Sequence, residues 1–257
     1  MPYVELDGIA SYHEIHGTGE PVLMLHGGFC SIETMQPQID ALATAYRVHA
    51  PERPGQGRTA DRPGPISFEQ MVSDTVAYLD ALGVPAAHVI GFSDGAITGL
   101  LLARDHPDRV LSLVSISANL DPDGFVADEE TVAGDLGEEP APSEENDDDE
   151  WGIRDAYARL APGGAAQADV VLEKLVEMWR SEPQIDPASL SSVRAPTMVL
   201  AGQHDSIRTD HTLSIAQAIS DAQVAIVPGA GHMVMLERAE LVNLLLREFL
   251  ASASPPG

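Results

Sequence analysis

The sequence predicts an α/β protein with a mostly parallel, twisted sheet, helices on both faces and one long inserted segment. Short apolar runs alternate with segments of helical periodicity along most of the 257 residues, which is typical of parallel strands connected by helices. Most of these runs are apolar at consecutive positions, as expected of strands buried on both faces. Hydrophobic residues make up 44% of the chain, enough for a sizeable core.

Eight segments are predicted as strands. Residues 3–6 and 10–16 flank Asp7-Gly8 and are expected to form a small antiparallel pair. The other six are apolar runs that we expect to form the main sheet, at 21–25, 46–50, 88–92, 110–117, 197–201 and 224–227.

Helices are predicted between these strands, at 33–45, 67–82, 95–105, 209–220 and 236–250. The segment 67–82 places its apolar residues on one face with a period of 3.6 residues. Ser67 begins this helix, and Gln70 three positions later predicts a capping box, in which each side chain bonds the other residue's backbone N–H.

One connection is too long for a simple loop. Residues 119–193 are therefore predicted as an insertion, expected to form a lid, between the two parts of the core domain at 1–118 and 194–257. It begins with an acidic run, 121–150, that holds 14 Asp and Glu but no Lys or Arg. Such a run repels itself and buries little apolar surface, so we expect a solvated loop there. Helix-like segments follow at 151–160 and 168–180.

The charge balance excludes several classes of partner. Forty acids against 14 Lys and Arg give a net charge of −26, which disfavours binding to nucleic acid or to anionic membranes.

No apolar run approaches the roughly 20 residues of a membrane span. The acidic N-terminus lacks the pattern of a signal peptide, and Cys30 has no cysteine partner. We therefore expect a cytoplasmic protein, either a monomer or a homodimer, that acts on a small molecule.

The candidate nucleophile is Ser93, in Gly91-Phe-Ser-Asp-Gly95. This Gly-x-Ser-x-Gly pattern lies between a predicted strand and a predicted helix, the context in which a sharp turn presents a serine hydroxyl above the sheet edge. The two glycines remove the Cβ atoms that would clash in so tight a turn. The serine also lies at a helix N-terminus, where negative charge is favoured.

A serine hydroxyl needs a base to take its proton. His232, in Gly229-Ala-Gly-His232, follows the last predicted strand, and Asp205, in Gly202-Gln-His-Asp205, follows the strand before it. The order Ser, Asp, His, with each residue just after a strand, predicts a catalytic triad. Asp121, after an earlier strand, is an alternative acid.

An oxyanion hole is predicted from His26-Gly-Gly-Phe29, after the strand 21–25. The glycines let a backbone N–H approach a substrate oxygen closely. We assign the N–H groups of Gly28 and Asp94 to this role, with Phe29 N–H as an alternative to Gly28. The side chains of Phe29 and Asp94 are candidates for contact with substrate.

These motifs, with Glu52-Arg-Pro-Gly-Gln-Gly57, resemble those of the α/β-hydrolase fold serine hydrolases over nearly the whole chain. The resemblance implies a cofactor-independent enzyme without a metal that cleaves a small or medium carboxylic ester or lactone through an acyl-enzyme. Because the family hosts many reactions, several alternatives stay open. They are a thioesterase, a biosynthetic cyclase or lyase, and a cofactor-free haloperoxidase or perhydrolase.

The residue after the nucleophile departs from the commoner family pattern. The Ser-Asp-Gly sequence around Asp94 resembles the valacyclovir hydrolase-like subgroup, and that resemblance implies that Asp94 recognises a cationic group beside the scissile carbonyl. The alternative is that Asp94 only complements the helix N-terminus, an effect of typically about 0.3–1 kcal/mol.

Overall fold

The computed structural model describes residues 2–126 and 152–253. Its strands are β1 (Tyr3–Leu6), β2 (Ile9–His16), β3 (Pro21–Leu25), β4 (Arg47–Pro51), β5 (Ala87–Phe92), β6 (Val110–Ile116), β7 (Thr197–Gly202) and β8 (Gln223–Val227). They form one eight-stranded sheet in the order β1-β2-β4-β3-β5-β6-β7-β8. All eight predicted strands are therefore present.

Only the start of the sheet is antiparallel. β1 pairs with β2, and β2 with β4, in antiparallel register, whereas every pairing from β4 through β3 to β8 is parallel. The carboxyl ends of β3 to β8 consequently lie along one edge of the sheet. In open parallel sheets, ligands bind at that edge.

The helices are α1 (Gln36–Leu42), α2 (Phe68–Ala81), α3 (Asp94–Asp105), α4 (Gly152–Leu160), α5 (Gly164–Ser181), α6 (Thr209–Ala218), α7 (Val234–Glu237) and α8 (Ala239–Ala253). Two segments that were predicted as continuous helices are interrupted in the structure. The segment 33–45 begins with a 3₁₀ turn, Ile32–Met35, because Pro37 is tolerated only in the first turn of α1. The segment 236–250 is interrupted at Arg238, whose φ of −131° and ψ of 41° are not helical.

Each face of the sheet buries its own apolar cluster. The strand β3 illustrates the division, since Leu23 and Leu25 face one cluster and Val22 and Met24 face the other. The first cluster packs against α2, α3, α5 and α6, and the second against α1, α7 and α8. Helices on both faces explain why the central strands β5, β6 and β7 are buried at nearly every position.

The connection from β6 to β7 contains α4 and α5, which lie within the predicted insertion. Val171, Leu175 and Met178 of α5 are buried in the first apolar cluster. Lys174 ties the same helix to the core, because its Nζ donates to Asp61 Oδ2 at 2.6 Å. Most of the acidic run predicted as a solvated loop, from 127 to 150, lies outside the described residues. Among the described helices, none has the length and apolar character needed to cross a bilayer.

The N-terminus of α2 forms half of the predicted capping box. Ser67 Oγ accepts a hydrogen bond from Gln70 N at 3.2 Å, as expected of an N-cap. The reciprocal bond, from Ser67 N–H to the side-chain oxygen of Gln70, is not among the hydrogen bonds of the described residues, so that half of the box was predicted wrongly. The Gln70 side chain is directed along the helix, where its Nε2 donates to Asp74 Oδ1 at 3.0 Å. Arg62 holds Asp74 in place through both of its carboxylate oxygens.

This arrangement predicts unequal effects of two substitutions. Ser67→Ala removes the cap and should lower the free energy of unfolding by about 1 kcal/mol. Gln70→Ala removes only an i, i+4 contact and should cost at most about 0.5 kcal/mol. Urea denaturation of both variants measures the difference; equal losses would mean that the reciprocal half of the box forms after all.

Candidate active site

Ser93 occupies a sharp turn between β5 and α3. Its φ of 51° and ψ of −120° lie in a region that non-glycine residues rarely adopt. The neighbouring glycines make the turn possible: a Cβ on Gly91 would lie 2.2 Å from Gly95 O, and one on Gly95 would lie 2.1 Å from Leu25 O. Glycine is expected at both positions because a Cβ would clash in so tight a turn, and these contacts are such clashes.

The three predicted triad residues come together at the carboxyl edge of the sheet. His232 Nδ1 lies 2.7 Å from Asp205 Oδ1, and His232 Nε2 lies 3.3 Å from Ser93 Oγ. Because the carboxylate accepts a hydrogen bond from Nδ1–H, Nε2 is left as the nitrogen that faces the serine. The Asp205 side chain is 1% exposed and that of His232 is 27% exposed. Phe92 packs against the imidazole, with ring centroids 5.0 Å apart.

The carboxylate of Asp205 is held by several donors. Oδ1 accepts from Ile207 N at 3.0 Å as well as from His232, and Oδ2 accepts from Ser117 Oγ at 2.5 Å. Burial acts to raise the pKa of Asp205, but the hydrogen bonds and the charge of His232 outweigh it, and the pKa is lowered. Asp205 is thus kept ionised and fixed in orientation.

Ser117 was not anticipated from the sequence. It lies just after β6, is 1% exposed and has a φ of 57°. Its place at the carboxyl end of β6, beside β7, is the only sequence feature that pointed to a role near Asp205. Serine is too common at the ends of strands for that feature to single it out. The alternative acid, Asp121, is not the partner of His232; its charge acts on His211 instead.

Gly28 and Asp94, the predicted oxyanion donors, lie against each other. A Cβ on Gly28 would come within 2.3 Å of Asp94 Oδ2, so only glycine fits beside that carboxylate. Within the described ranges, neither backbone N–H donates to another protein group. Both are therefore available to a substrate oxygen. Phe29 N–H, the alternative donor, belongs to a residue with a φ of 51°.

The Asp94 side chain is buried beside this pair of amides. Its Oδ1 accepts from Trp179 Nε1 of α5 at 2.9 Å, whereas Oδ2 has no hydrogen-bond partner among the described residues. Burial raises the pKa of Asp94, and the charge of Arg53 opposes that shift. Trp179 was not assigned to the site in advance, because an aromatic residue in a helix is more often part of a core.

Phe29 lines a cavity of about 420 Å³ between the loop after β3 and α4. Its ring stacks on Tyr157 of α4, with centroids 4.2 Å apart and planes inclined by 10°. Cys30 lies beside it and is buried; burial raises the pKa of its thiol to about 12. In the described part of the chain, no group of three His, Cys, Asp or Glu side chains is placed to hold a metal ion.

Comparison with known proteins identifies the family of the chain. The alpha/beta hydrolase family matches residues 22–244. A Variovorax paradoxus protein named as carbamate hydrolase RutD is 30% identical, with 96% of this chain and 98% of that protein covered. A Mycobacterium tuberculosis protein named as non-heme bromoperoxidase BpoC is 28% identical, with 93% and 97% covered.

Among solved structures, an N-acyl homoserine lactone degrading enzyme superposes with a TM-score of 0.75 at 26% identity. The superposition covers 96% of this chain and all of that one. The family match spans most of the chain, and the relatives and the fold agree with it. The chain therefore belongs to the alpha/beta hydrolase family and is a hydrolase.

Proposed function

We propose that this hydrolase cleaves a small or medium carboxylic ester or lactone through an acyl-enzyme on Ser93. The observation that carries the proposal is the pair of contacts made by His232, 2.7 Å to Asp205 and 3.3 Å to Ser93. The imidazole of His232 contacts both the buried carboxylate of Asp205 and the hydroxyl of Ser93. This is the geometry of a general base that activates a nucleophile.

In the first half of the reaction, Ser93 Oγ bonds to the carbonyl carbon while its proton passes to His232 Nε2. The carbonyl oxygen becomes an oxyanion, which the N–H groups of Gly28 and Asp94 stabilise. When the carbonyl re-forms, the bond to the alcohol oxygen breaks and His232 delivers its proton to that oxygen. The products are an acyl-Ser93 ester and a free alcohol; for a lactone the two remain one molecule.

Water completes the cycle. His232 removes a proton from the water, the hydroxyl oxygen bonds to the acyl carbon, and a second oxyanion forms at the same two amides. Collapse breaks the acyl–Oγ bond and returns the proton to Ser93. Asp205 holds the imidazole in one tautomer throughout and stabilises its charged form.

The substrate class is supported by the surroundings of the site. The relatives named above include a lactone-degrading enzyme and a carbamate hydrolase, whose names point to acyl carbonyl groups. The net charge of −26 disfavours anionic substrates such as coenzyme A thioesters, although salt screens this beyond roughly 8 Å. A neutral or cationic ester fits this field best.

We further propose that 119–193 serves as a lid. Two contacts support it: Trp179 of α5 bonds Asp94, and Tyr157 of α4 stacks on Phe29. Both reach the oxyanion side of the site, so the insertion would set how much of a substrate is enclosed. Independence of cofactors, a cytoplasmic location and a monomeric or dimeric state stay predictions.

Three serine substitutions test the mechanism. Ser93→Ala should abolish both ester turnover and labelling by a fluorophosphonate. Ser117→Ala should lower kcat about 10-fold, because Asp205 loses one charge-assisted hydrogen bond. Ser115→Ala is the matched control and should keep wild-type activity, since this buried β6 hydroxyl has no hydrogen-bond partner in the part of the chain that the structure describes.

The outcomes also separate the alternatives. Substrates are presented as esters, lactones, carbamates and thioesters of graded acyl length, and labelled residues are located by peptide mass spectrometry. Ester turnover that survives Ser93→Ala would reject the acyl-enzyme. A folded protein that resists labelling would favour the cyclase or lyase. Because one relative is named as a bromoperoxidase, the assay is repeated with hydrogen peroxide added. Activity that requires peroxide would favour a perhydrolase.

The unpartnered Asp94 Oδ2 allows a test of amine recognition. If Asp94 binds a cation, aminoacyl esters should exceed their deaminated analogues in kcat/KM, and Asp94→Asn should reduce that preference about 10-fold or more. An unchanged ratio in the two proteins would leave Asp94 with only its role at the N-terminus of α3.

A further inference from the structure

A buried arginine contacts the loop 26–29, the oxyanion loop, which carries Gly28. Arg53 follows β4 and is 5% exposed. Its Nη2 donates to His26 O and to Gly27 O, both at 2.7 Å, and also lies 3.2 Å from His26 Nδ1. The two hydrogens of Nη2 are thus both directed at carbonyl groups of the loop that carries Gly28.

His26 reaches the same carbonyl. Its Nε2 accepts from Arg53 N at 3.4 Å, so the ring proton resides on Nδ1, which lies 2.7 Å from Gly27 O. Burial, and next the charge of Arg53, hold the pKa of His26 well below its usual value, and the ring is neutral. Gly27 O therefore accepts one hydrogen bond from a cation and one from an imidazole.

The guanidinium has no paired counter-charge among the described side chains. Arg53 forms no ion pair within the described ranges, and its Nε and Nη1 have no hydrogen-bond partner. A buried charge without a paired counter-charge is unfavourable. What holds the cation in this position is the pair of loop carbonyls, together with attraction from acids that it does not contact, Asp94 foremost.

The peptide between Gly27 and Gly28 connects the cation to the reaction. A trans peptide is planar, and its C=O and N–H point in opposite directions. A positive charge at Gly27 O therefore draws electron density away from Gly28 N–H and makes that group a stronger donor. The dipole of the peptide is aligned from Arg53 towards the position of the oxyanion.

Asp94 explains why such support is needed. Its Oδ2 packs against the Cα of Gly28, so its negative charge would oppose an oxyanion formed there. Among the acids that act on Arg53, Asp94 has the largest effect. Arg53 is thus placed to offset the field of Asp94 at the two amides.

We propose that Arg53 is a positioning residue for the oxyanion hole, which it serves by fixing and polarising the Gly27–Gly28 peptide. This inference rests on the proposed function, because it assumes that Gly28 N–H receives the substrate oxygen. It assigns to Arg53 a role in transition-state stabilisation without contact with the substrate.

Phenylboronic acid supplies a direct test. Addition of Ser93 Oγ to boron gives a tetrahedral anion that resembles the reaction's oxyanion. Arg53→Gln should weaken inhibition by phenylboronic acid and lower kcat by a similar factor, about 10- to 100-fold, with little change in KM. Arg53→Lys, which keeps the cation, should recover part of both. Arg62→Gln is the control: it removes another partly buried arginine, paired with Asp74, and should leave inhibition unchanged.

Each result has a distinct meaning. Equal inhibition of wild type and Arg53→Gln would overturn the role of Arg53 and leave the nucleophile intact. Loss of stability and a raised KM, with unchanged inhibition, would show that Arg53 is purely structural. No inhibition of wild type would count against the proposed function itself, and the role of Arg53 would fall with it.

A measurement on the unmutated protein covers the case in which neither Arg53 variant folds. Protein labelled with [1-¹³C, ¹⁵N]glycine gives carbonyl–nitrogen correlations only from Gly-Gly peptides, of which the sequence has two, 27–28 and 163–164. The Gly27 carbonyl should resonate downfield of Gly163, an exposed residue that serves as internal reference. Two carbonyls with matching shifts would mean that Gly27 is not polarised.

Discussion

His232 Nδ1 lies 2.7 Å from Asp205 Oδ1, and the organisation of the proposed site follows from that hydrogen bond. It fixes the proton on Nδ1 and leaves Nε2 with a lone pair towards Ser93. The bond requires that Asp205 be ionised although it is buried. Ile207 N and Ser117 Oγ stabilise the ionised form by donating hydrogen bonds to it. Without these donors, burial would raise the pKa of the carboxyl and weaken its hold on the imidazole.

The sheet supplies the proximity that these contacts require. Ser93, Asp205 and His232 lie far apart in sequence but follow β5, β7 and β8, whose carboxyl ends share one edge. The same edge receives Gly28 after β3 and Arg53 after β4. Side chains that must meet within hydrogen-bonding distance are thus presented by rigid strands, and the chain between them contributes to packing.

The elements and the convergence of Ser93, Asp205 and His232 were predictable because each rests on local chemistry. Continuous apolar runs identify buried parallel strands, and the Gly91 and Gly95 spacing identifies a turn that only glycine permits. The roles of Ser117, Trp179 and Arg53 were not predictable, since they depend on which side chains meet across the fold. The reciprocal half of the cap at Gln70 was not predictable for a similar reason: Asp74, fixed by Arg62, accepts from Nε2 of Gln70 and directs that side chain along the helix.

The most direct measurement of the central claim is the mass of the enzyme during turnover. The protein is mixed with an excess of a slowly hydrolysed ester, quenched in acid within the first turnover and digested. The account predicts a peptide that contains Ser93 and is heavier by the mass of the acyl group, less one hydrogen. Steady turnover with no acyl group on that peptide, or with the acyl group on another residue, would contradict it.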